Sequence, residues 1–321
     1  DYAQAALLIL GGSTLAAMLV GFLYGRGKRV WCRYLCPVSG VFGLLAKLAP
    51  LHFYVDEQRW RANAAPHLPP PNCAPLLDIR RMRGASACHA CGRCSGQRDA
   101  VQLIARSSNE EIVRYGNNPD NLWEVRLLLY GVIGLAMGAF QWTVSPWFIS
   151  LKQAMAEWLV ARDIFWPLEA NAPWWLLTHY PQLNDAFTWL DGLAISLYLL
   201  ASSVLLGGGL QLLIHLSSRL AGQTPAFARQ LMLCLIPLGA AGLFLGLSAT
   251  TVKLLRYEGL ALLWVQPSRA ALLGAAISWC LWLSWRVCTA LPASRKAALL
   301  LSMSLACSLI GYGWWLQFWS R

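Results

Sequence analysis

Long apolar runs alternate with short polar segments along most of the chain. Runs of about 20 apolar residues are long enough to cross a hydrocarbon core about 30 Å thick. The pattern predicts about six transmembrane helices, at residues 4–25, 127–149, 192–216, 229–252, 270–289 and 297–319. One polar stretch, about 51–126, lies between the first two runs and could be exposed to water. The sequence therefore predicts an all-α polytopic membrane protein with one small insertion.

The pattern divides the chain into three parts. Residues 1–30 form the first membrane helix, 31–126 the insertion with the element preceding it, and 127–321 a membrane domain of about five helices. Within the last part, 150–190 is rich in tryptophan and has apolar residues at helical spacing. We expect short amphipathic helices there, lying on the outer membrane face as an interfacial cover.

Composition and charge agree with a membrane protein. Hydrophobic residues make up 57% of the chain and charged residues only 13%, too few to cover a soluble surface. The net charge of +11 comes from basic residues at the ends of apolar runs, which is typical of cytoplasmic loops and not of nucleic-acid binding. This distribution predicts a cytoplasmic insertion, with both chain ends on the opposite side.

Three closely spaced cysteines in the insertion indicate a metal cluster. Cys88, Cys91 and Cys94 have the C-x2-C-x2-C spacing that holds a [4Fe–4S] cluster in bacterial ferredoxins. Arg98 stands where such a run has its fourth cysteine. In two-cluster ferredoxins that fourth cysteine ligates the other cluster, so Cys73, the remnant of a first run, is a candidate to complete this one. We therefore predict one [4Fe–4S] cluster.

A second pair of cysteines directly follows the first predicted span. Cys32 and Cys36 are separated by three residues, and Pro37 suits the first turn of a helix over 38–48. Three roles remain open for the pair. Cys36 could be the fourth cluster ligand instead of Cys73, the pair could bind a soft ion such as Cu(I), or it could cycle between dithiol and disulfide.

These motifs together resemble those of the membrane polyferredoxins. This family includes NapH- and NosR-like accessory electron-transfer proteins of periplasmic reductases and copper-reducing assembly factors of haem–copper oxidases. The similarity covers about residues 5–130, where Cys73, Cys88, Cys91 and Cys94 match the cluster runs and Cys32 and Cys36 match the Cys-x3-Cys-Pro element. Most of the first run is missing here. The resemblance implies a multi-pass protein of the bacterial inner membrane, with a ferredoxin-like iron–sulfur insertion on the cytoplasmic side.

The sequence does not predict a haem. His215 is the only histidine well inside a predicted span, His179 is predicted outside the membrane, and a bis-histidine haem needs two ligands at matching depth. No C-x-x-C-H motif for covalent haem is present.

Three functions compete. The first is an electron-transfer subunit of an oxidoreductase complex, relaying electrons between quinone or the cytoplasmic side and a periplasmic or membrane cytochrome or reductase. The second is an assembly factor that binds or reduces copper through Cys32 and Cys36. The third is a structural membrane subunit whose metal only holds the insertion together, since four thiolates also suit zinc.

Overall fold

The computed structural model describes residues 7–25, 28–63, 73–82, 84, 88, 90–116, 122–173, 176–177, 179–180 and 185–319. The chain is mostly helical. In chain order the helices are α1 Leu7–Gly25, α2 Pro37–Leu45, α3 Glu57–Ala62, α4 Glu110–Tyr115, α5 Leu122–Gln141, α6 Pro146–Val160, α7 Trp189–Leu220, α8 Pro225–Leu233, α9 Ile236–Tyr257, α10 Val265–Val287 and α11 Ala293–Trp319. The strands are β1 Leu51–Val55, β2 Val101–Ala105, β3 His179–Tyr180 and β4 Asp185–Ala186. The expectation of an all-α chain omitted these two small antiparallel pairs.

Among the described residues, six helical segments are long and apolar enough to cross a membrane: α1, α5, α7, α8 with α9, α10 and α11. The predicted number of spans is confirmed, although several begin a few residues earlier than expected. The last five pack around one apolar core, with fully buried side chains such as Leu129, Ile214 and Leu235. Close packing of α7 on α5 requires Gly207, because a Cβ there would lie 2.9 Å from the Leu129 carbonyl oxygen. In contrast, most large apolar side chains of α1 are exposed, among them Leu7, Phe22 and Tyr24.

The insertion is built on a short antiparallel sheet. Strand β1 pairs with β2, with Leu51 opposite Ala105 and Val55 opposite Val101. One face of this sheet is apolar, and Phe53, Val55 and Val101 are buried there with Ile79. As predicted, Pro37 lies in the first turn of α2, and the helix continues into the 3-10 turn Ala46–Leu48. This apolar helix precedes the sheet directly and brings it to the ends of the spans.

Two side chains of the membrane domain fasten the insertion to the spans. Gln230 of α8 donates from Nε2 to the carbonyl oxygens of Ile112 (3.0 Å) and Val113 (2.9 Å) at the end of α4. Trp279 of α10 donates from Nε1 to Asn109 Oδ1 at 2.5 Å. Because both donors belong to core helices, the insertion has a fixed position against the spans.

The segment between α5 and α7 contains the expected short helices. Helix α6 is followed by the 3-10 turn Trp166–Leu168, and an ion pair between Lys152 and Asp191 ties α6 to the start of α7. The pairing of β3 with β4 was not predicted. Trp174 and Trp175, which contributed to the tryptophan-rich pattern, lie outside the described residues, and only the backbone of His179 is described.

Candidate metal centre

Two loops bring four cysteines of the insertion to one place. Cys73 begins a turn in which the Leu76 backbone N–H donates to the Cys73 carbonyl oxygen at 3.3 Å. Cys88, Cys91 and Cys94 lie in a second loop that bends sharply, with positive φ angles at Ala90 (47°) and Gly92 (76°). The three cysteines, which are close together in the sequence, thus lie along one sharply curved stretch of backbone.

All four cysteines line a single small pocket. Its remaining walls include Phe53, Ile79 and Met82, so the thiols meet mostly apolar surface supplied by the sheet and the 3-10 turn Ile79–Arg81. Cys91 is the exposed member, whereas Cys73, Cys88 and Cys94 are partly buried. An apolar wall limits the access of water to a group held by the thiols.

Two of the sulfur atoms accept hydrogen bonds from backbone N–H groups. Leu77 donates to Cys73 Sγ at 3.4 Å, and Ala90 donates to Cys88 Sγ at 3.3 Å. Such N–H groups stabilise negative charge on sulfur and tune the reduction potential of an iron–sulfur cluster. The pocket therefore provides for thiolates and not only for small buried thiols.

Burial and neighbouring thiols raise the pKa of Cys88 and of Cys94 when no cation is bound. Burial is the main cause that raises the pKa of Cys88, the Ala90 N–H partly offsets it, and neighbouring Cys73 and Cys91 raise the pKa further. For Cys94, burial is the largest cause that raises the pKa, and the nearby Cys88 is the second. A positively charged metal group would remove this repulsion, so the donor set fits one.

Among the described residues, no three His, Cys, Asp or Glu side chains come together closely enough to hold one metal ion. A [4Fe–4S] cluster needs four cysteine ligands around one space, and these four cysteines line one pocket, whose volume is only about 20 Å³.

Two hydrogen bonds hold the turn of Cys73 beside the end of α1. Lys28 Nζ donates to the Cys73 carbonyl oxygen at 3.3 Å, and the Arg29 N–H donates to the Ala74 carbonyl oxygen at 2.7 Å. Both donors lie just after the helix. The four-thiol pocket is therefore next to the end of a candidate membrane span.

Cys32 and Cys36 lie in a neighbouring, larger cavity. Cys32 belongs to the wide helical turn Trp31–Leu35, and Cys36 precedes α2, with its N–H donating to the Trp31 carbonyl oxygen at 2.9 Å. Both line an open cavity of about 980 Å³ that also includes Cys88, Trp123 and Glu124, and neither lines the four-thiol pocket. Cys88 thus stands in the wall between the two spaces.

Glu124 in the wall of this cavity belongs to a group of charged residues that the sequence reasoning missed. Lys47 Nζ lies 3.0 Å from Glu124 Oε2 and 3.4 Å from Glu111 Oε1, and Arg106 Nη1 lies 2.6 Å from Glu111 Oε2. The side chains of Lys47, Arg106 and Glu111 are almost fully buried. Because these residues come from separate loops and helices, no local motif links them, and only their number in an apolar neighbourhood could have drawn attention.

Comparison with known protein families gives a match. A family model described as a 4Fe-4S binding domain matches residues 5–54 of the 321-residue chain. This match supports a [4Fe–4S] cluster and an iron–sulfur electron-transfer role. The matched segment includes Cys32 and Cys36 but ends before Cys73. No curated protein and no solved structure matches the chain.

Proposed function

We propose that this protein is a membrane electron-transfer subunit that holds one [4Fe–4S] cluster on Cys73, Cys88, Cys91 and Cys94. The observation that carries the proposal is the convergence of the four cysteines on one apolar pocket, with backbone N–H donors on two of the sulfurs. When bound, such a cluster accepts and releases one electron at a time. The protein holds it, limits the access of water and sets its distance from the membrane.

Cys73 is the better candidate than Cys36 for the fourth ligand. Cys73 shares the pocket with the other three and is close enough to affect the ionisation of Cys88 and Cys94, whereas Cys36 lines the adjacent cavity. The family match favours a role for Cys36, because it covers that residue and not Cys73. Separate serine variants of the two residues therefore decide the assignment.

The cavity of Cys32 and Cys36 suits a quinone as the electron-exchange partner. Its volume of about 980 Å³ leaves room for an apolar ring, its walls include the aromatic residues Tyr34, Phe42 and Trp123, and among the described lining residues Glu124 supplies the one carboxylate for a polar oxygen. The cavity lies where α5 begins, at the end of a candidate span, so a lipid-soluble ligand can reach it from the bilayer. Cys88 in its wall brings the ring next to the four-thiol pocket.

The direction of the chain in the membrane follows from the charge pattern. Lys28, Arg29 and Arg126 flank the insertion, which favours its placement on the cytoplasmic side of a bacterial inner membrane, with the chain ends in the periplasm. A periplasmic or membrane redox protein, such as a cytochrome or a reductase, completes the proposed relay. This assignment relies on the charge pattern and on the resemblance to the membrane polyferredoxins.

The test is anaerobic purification of the intact protein in detergent, with iron and sulfide analysis and EPR spectroscopy of the reduced sample. We expect about four irons per chain and a signal that is lost in Cys91→Ser and in Cys73→Ser. Cys307→Ser, a buried cysteine of α11, is the control and should keep the signal. Fewer than about three irons per chain in the parent protein would rule out the cubane.

The serine variants also separate the two candidate fourth ligands. If Cys73→Ser keeps about four irons and Cys36→Ser loses them, Cys36 is the ligand and the four-cysteine pocket is not the complete site. If both variants keep the full iron content, neither residue is required, and the ligand set proposed here is wrong. Retention of tightly bound zinc instead of iron would favour the structural role.

Copper handling is the second candidate function, and the shared cavity of Cys32 and Cys36 is the observation that favours it. Two thiolates suit Cu(I), which prefers soft ligands. We expect the parent protein to bind one Cu(I) ion per chain in competition with a chelator, and Cys32→Ser with Cys36→Ser to lose that binding. Unchanged copper binding in the double variant would refute this function without affecting the cluster proposal.

A further inference from the structure

A continuous series of buried ion pairs connects the quinone-sized cavity with a second groove on the insertion. Glu124 lines the cavity, and Arg106 lines the groove. Between them, the contacts run from Glu124 to Lys47 (3.0 Å), from Lys47 to Glu111 (3.4 Å) and from Glu111 to Arg106 (2.6 Å). No N–O distance in this series exceeds 3.4 Å, so each contact is an ion pair.

The cavity end of the series has a carboxylate oxygen without a hydrogen bond. Glu124 Oε2 is buried and forms the ion pair with Lys47, but it accepts no well-oriented hydrogen bond from the described residues. The side chain is still 24% exposed, and Glu124 belongs to the cavity wall. A carboxylate in this situation can accept a hydrogen bond or a proton from a hydroxyl group in the cavity.

The groove end of the series is open to water. Arg106 there is accompanied by His52, Glu110 and Arg114. Arg106 stays charged and cannot itself carry a proton. Its position leaves Glu111 one contact from the groove.

Stability alone does not explain the series. Removing four charged groups from water is costly, and well-packed apolar side chains often stabilise a protein at least as well as buried ion pairs. The Arg106 guanidinium additionally donates to the carbonyl oxygens of Ala46 (3.3 Å), Lys47 (3.4 Å) and Ala49 (2.9 Å) at the end of the 3-10 turn. This anchors one end firmly and leaves Lys47 between two carboxylates.

We propose that Glu124 accepts a proton released by a quinol in the cavity and that Lys47 and Glu111 pass it towards the groove of Arg106 and His52. The inference rests on the quinone assignment above. Oxidation of one quinol to a quinone breaks two O–H bonds and releases two protons and two electrons. A cluster held by the four cysteines would take up the electrons one at a time for a one-electron acceptor of the cytochrome class, and the protons leave successively through Glu124.

Other ionisable groups face the same space. Tyr34, Cys32, Cys36 and Cys88 also line the cavity, and Glu124 is its only carboxylate among the described residues. A thiol accepts a proton only after it has become a thiolate. Glu124 is therefore the group whose replacement tests the proposal.

The first measurement uses binding and does not depend on a loaded cluster. A short-chain hydroquinone is equilibrated with cluster-free protein in detergent, and its dissociation constant is determined by dialysis. Glu124→Ala removes the hydrogen-bond acceptor, so we expect affinity about 5–10-fold weaker, whereas Glu124→Gln keeps an acceptor oxygen and should stay within about threefold of the parent. Equal affinity for all three proteins would show that Glu124 does not contact the ring and would overturn the proposal.

The second measurement follows reduction of the loaded protein by the same hydroquinone in a stopped-flow spectrometer. We expect Glu124→Gln to slow this reduction at least about tenfold and to flatten its rise with pH, because the amide cannot take up a proton. Reduction by dithionite needs no proton acceptor and should be unchanged. Glu124→Asp keeps a carboxylate and should recover part of the rate, which a merely structural role of Glu124 would not predict.

The controls distinguish the two proposals. Glu157→Gln removes an exposed carboxylate of α6 that lines neither the cavity nor the groove, and it should behave as the parent protein. If Glu124→Gln matches the parent in rate and pH profile, proton transfer through Glu124 is excluded while the quinone assignment stands. If dithionite reduces the parent cluster and the hydroquinone does not, both the quinone assignment and this inference fail.

Discussion

The Arg98 guanidinium carbon lies 4.8 Å from the centre of the Trp60 ring, and Arg98 Nη1 donates to the Trp60 carbonyl oxygen at 3.2 Å. Asn63 also donates to the Arg98 carbonyl oxygen at 2.9 Å. Arg98 occupies the position at which a ferredoxin run has its fourth cysteine. Its side chain packs on α3 and is not part of the four-thiol pocket. The Arg98 side chain therefore holds α3 and does not bind metal.

Restoring a cysteine at this position should not restore a ligand. We expect Arg98→Cys to leave the iron content unchanged and to lower the free energy of unfolding by about 1–2 kcal/mol, because a cation–π contact and a hydrogen bond are lost. Iron analysis and thermal unfolding measure the two effects. Arg98→Lys keeps the cation and should lose less stability. An increase in iron per chain for Arg98→Cys would contradict this interpretation.

The cluster-free protein should show a fixed order of thiol alkylation. Cys91 is exposed and should react first, while Cys88 and Cys94 should lag, because burial raises the pKa of both thiols and lowers their thiolate fraction. The buried cysteines Cys234 and Cys280 should react only after unfolding. Mass spectrometry of peptides after timed exposure to iodoacetamide gives the order. Faster labelling of Cys88 than of Cys91 would refute it.

Loading of the cluster should depend on pH. The raised pKa of Cys88 and Cys94 keeps both thiols protonated near neutral pH, and metal binding must displace those protons. Iron retention against a chelator should therefore improve from about pH 7 to pH 9. The same shift destabilises the cluster-free insertion above about pH 9, because the unfolded thiols ionise first. Retention that does not vary over this range would contradict the assignment of these ligands.

The sequence predicted those features that depend on local patterns. Apolar runs of sufficient length identified the spans, and Pro37 identified the start of α2, because each signal lies within one element. The spacing of Cys88, Cys91 and Cys94 likewise selected the loop that curves around the pocket. Cys73 was predicted from its similarity to the end of a ferredoxin run, and the structure brings it to the same pocket, while its role as a ligand stays a prediction.

The features that the sequence did not predict arise from contacts between distant segments. In the sequence, the region that contains Cys73, Cys88, Cys91 and Cys94 separates strand β1 from strand β2. Their pairing depends on the burial of Phe53 and Val101 in one apolar cluster. The ion pairs of Lys47 with Glu111 and Glu124 join three different helical segments. Hydropathy scales assign charged residues to the solvent-exposed surface. Only the packed structure shows that the Lys47 and Glu111 side chains are buried.

Gly84 links the buried ion pairs to the cysteine loop, and a methyl group there should disturb both. A Cβ at Gly84 would lie 2.5 Å from Glu111 Oε1 and 2.8 Å from Glu111 Oε2. Gly84→Ala must therefore displace the carboxylate that pairs with Lys47 and Arg106, and we expect a loss of about 1–3 kcal/mol in the free energy of unfolding. Cluster iron should also be lost faster, because Gly84 is only four residues before Cys88 in the sequence.

Thermal unfolding and timed iron release measure these two effects. Gly209→Ala is the matched control, since a Cβ at that position of α7 meets nothing within 4 Å and alanine favours a helix. Combining Gly84→Ala with Glu111→Ala should cost less than the sum of the single changes, because the second substitution removes the group that collides with the first. Strict additivity of the two losses would show that the loop and the ion pairs are independent.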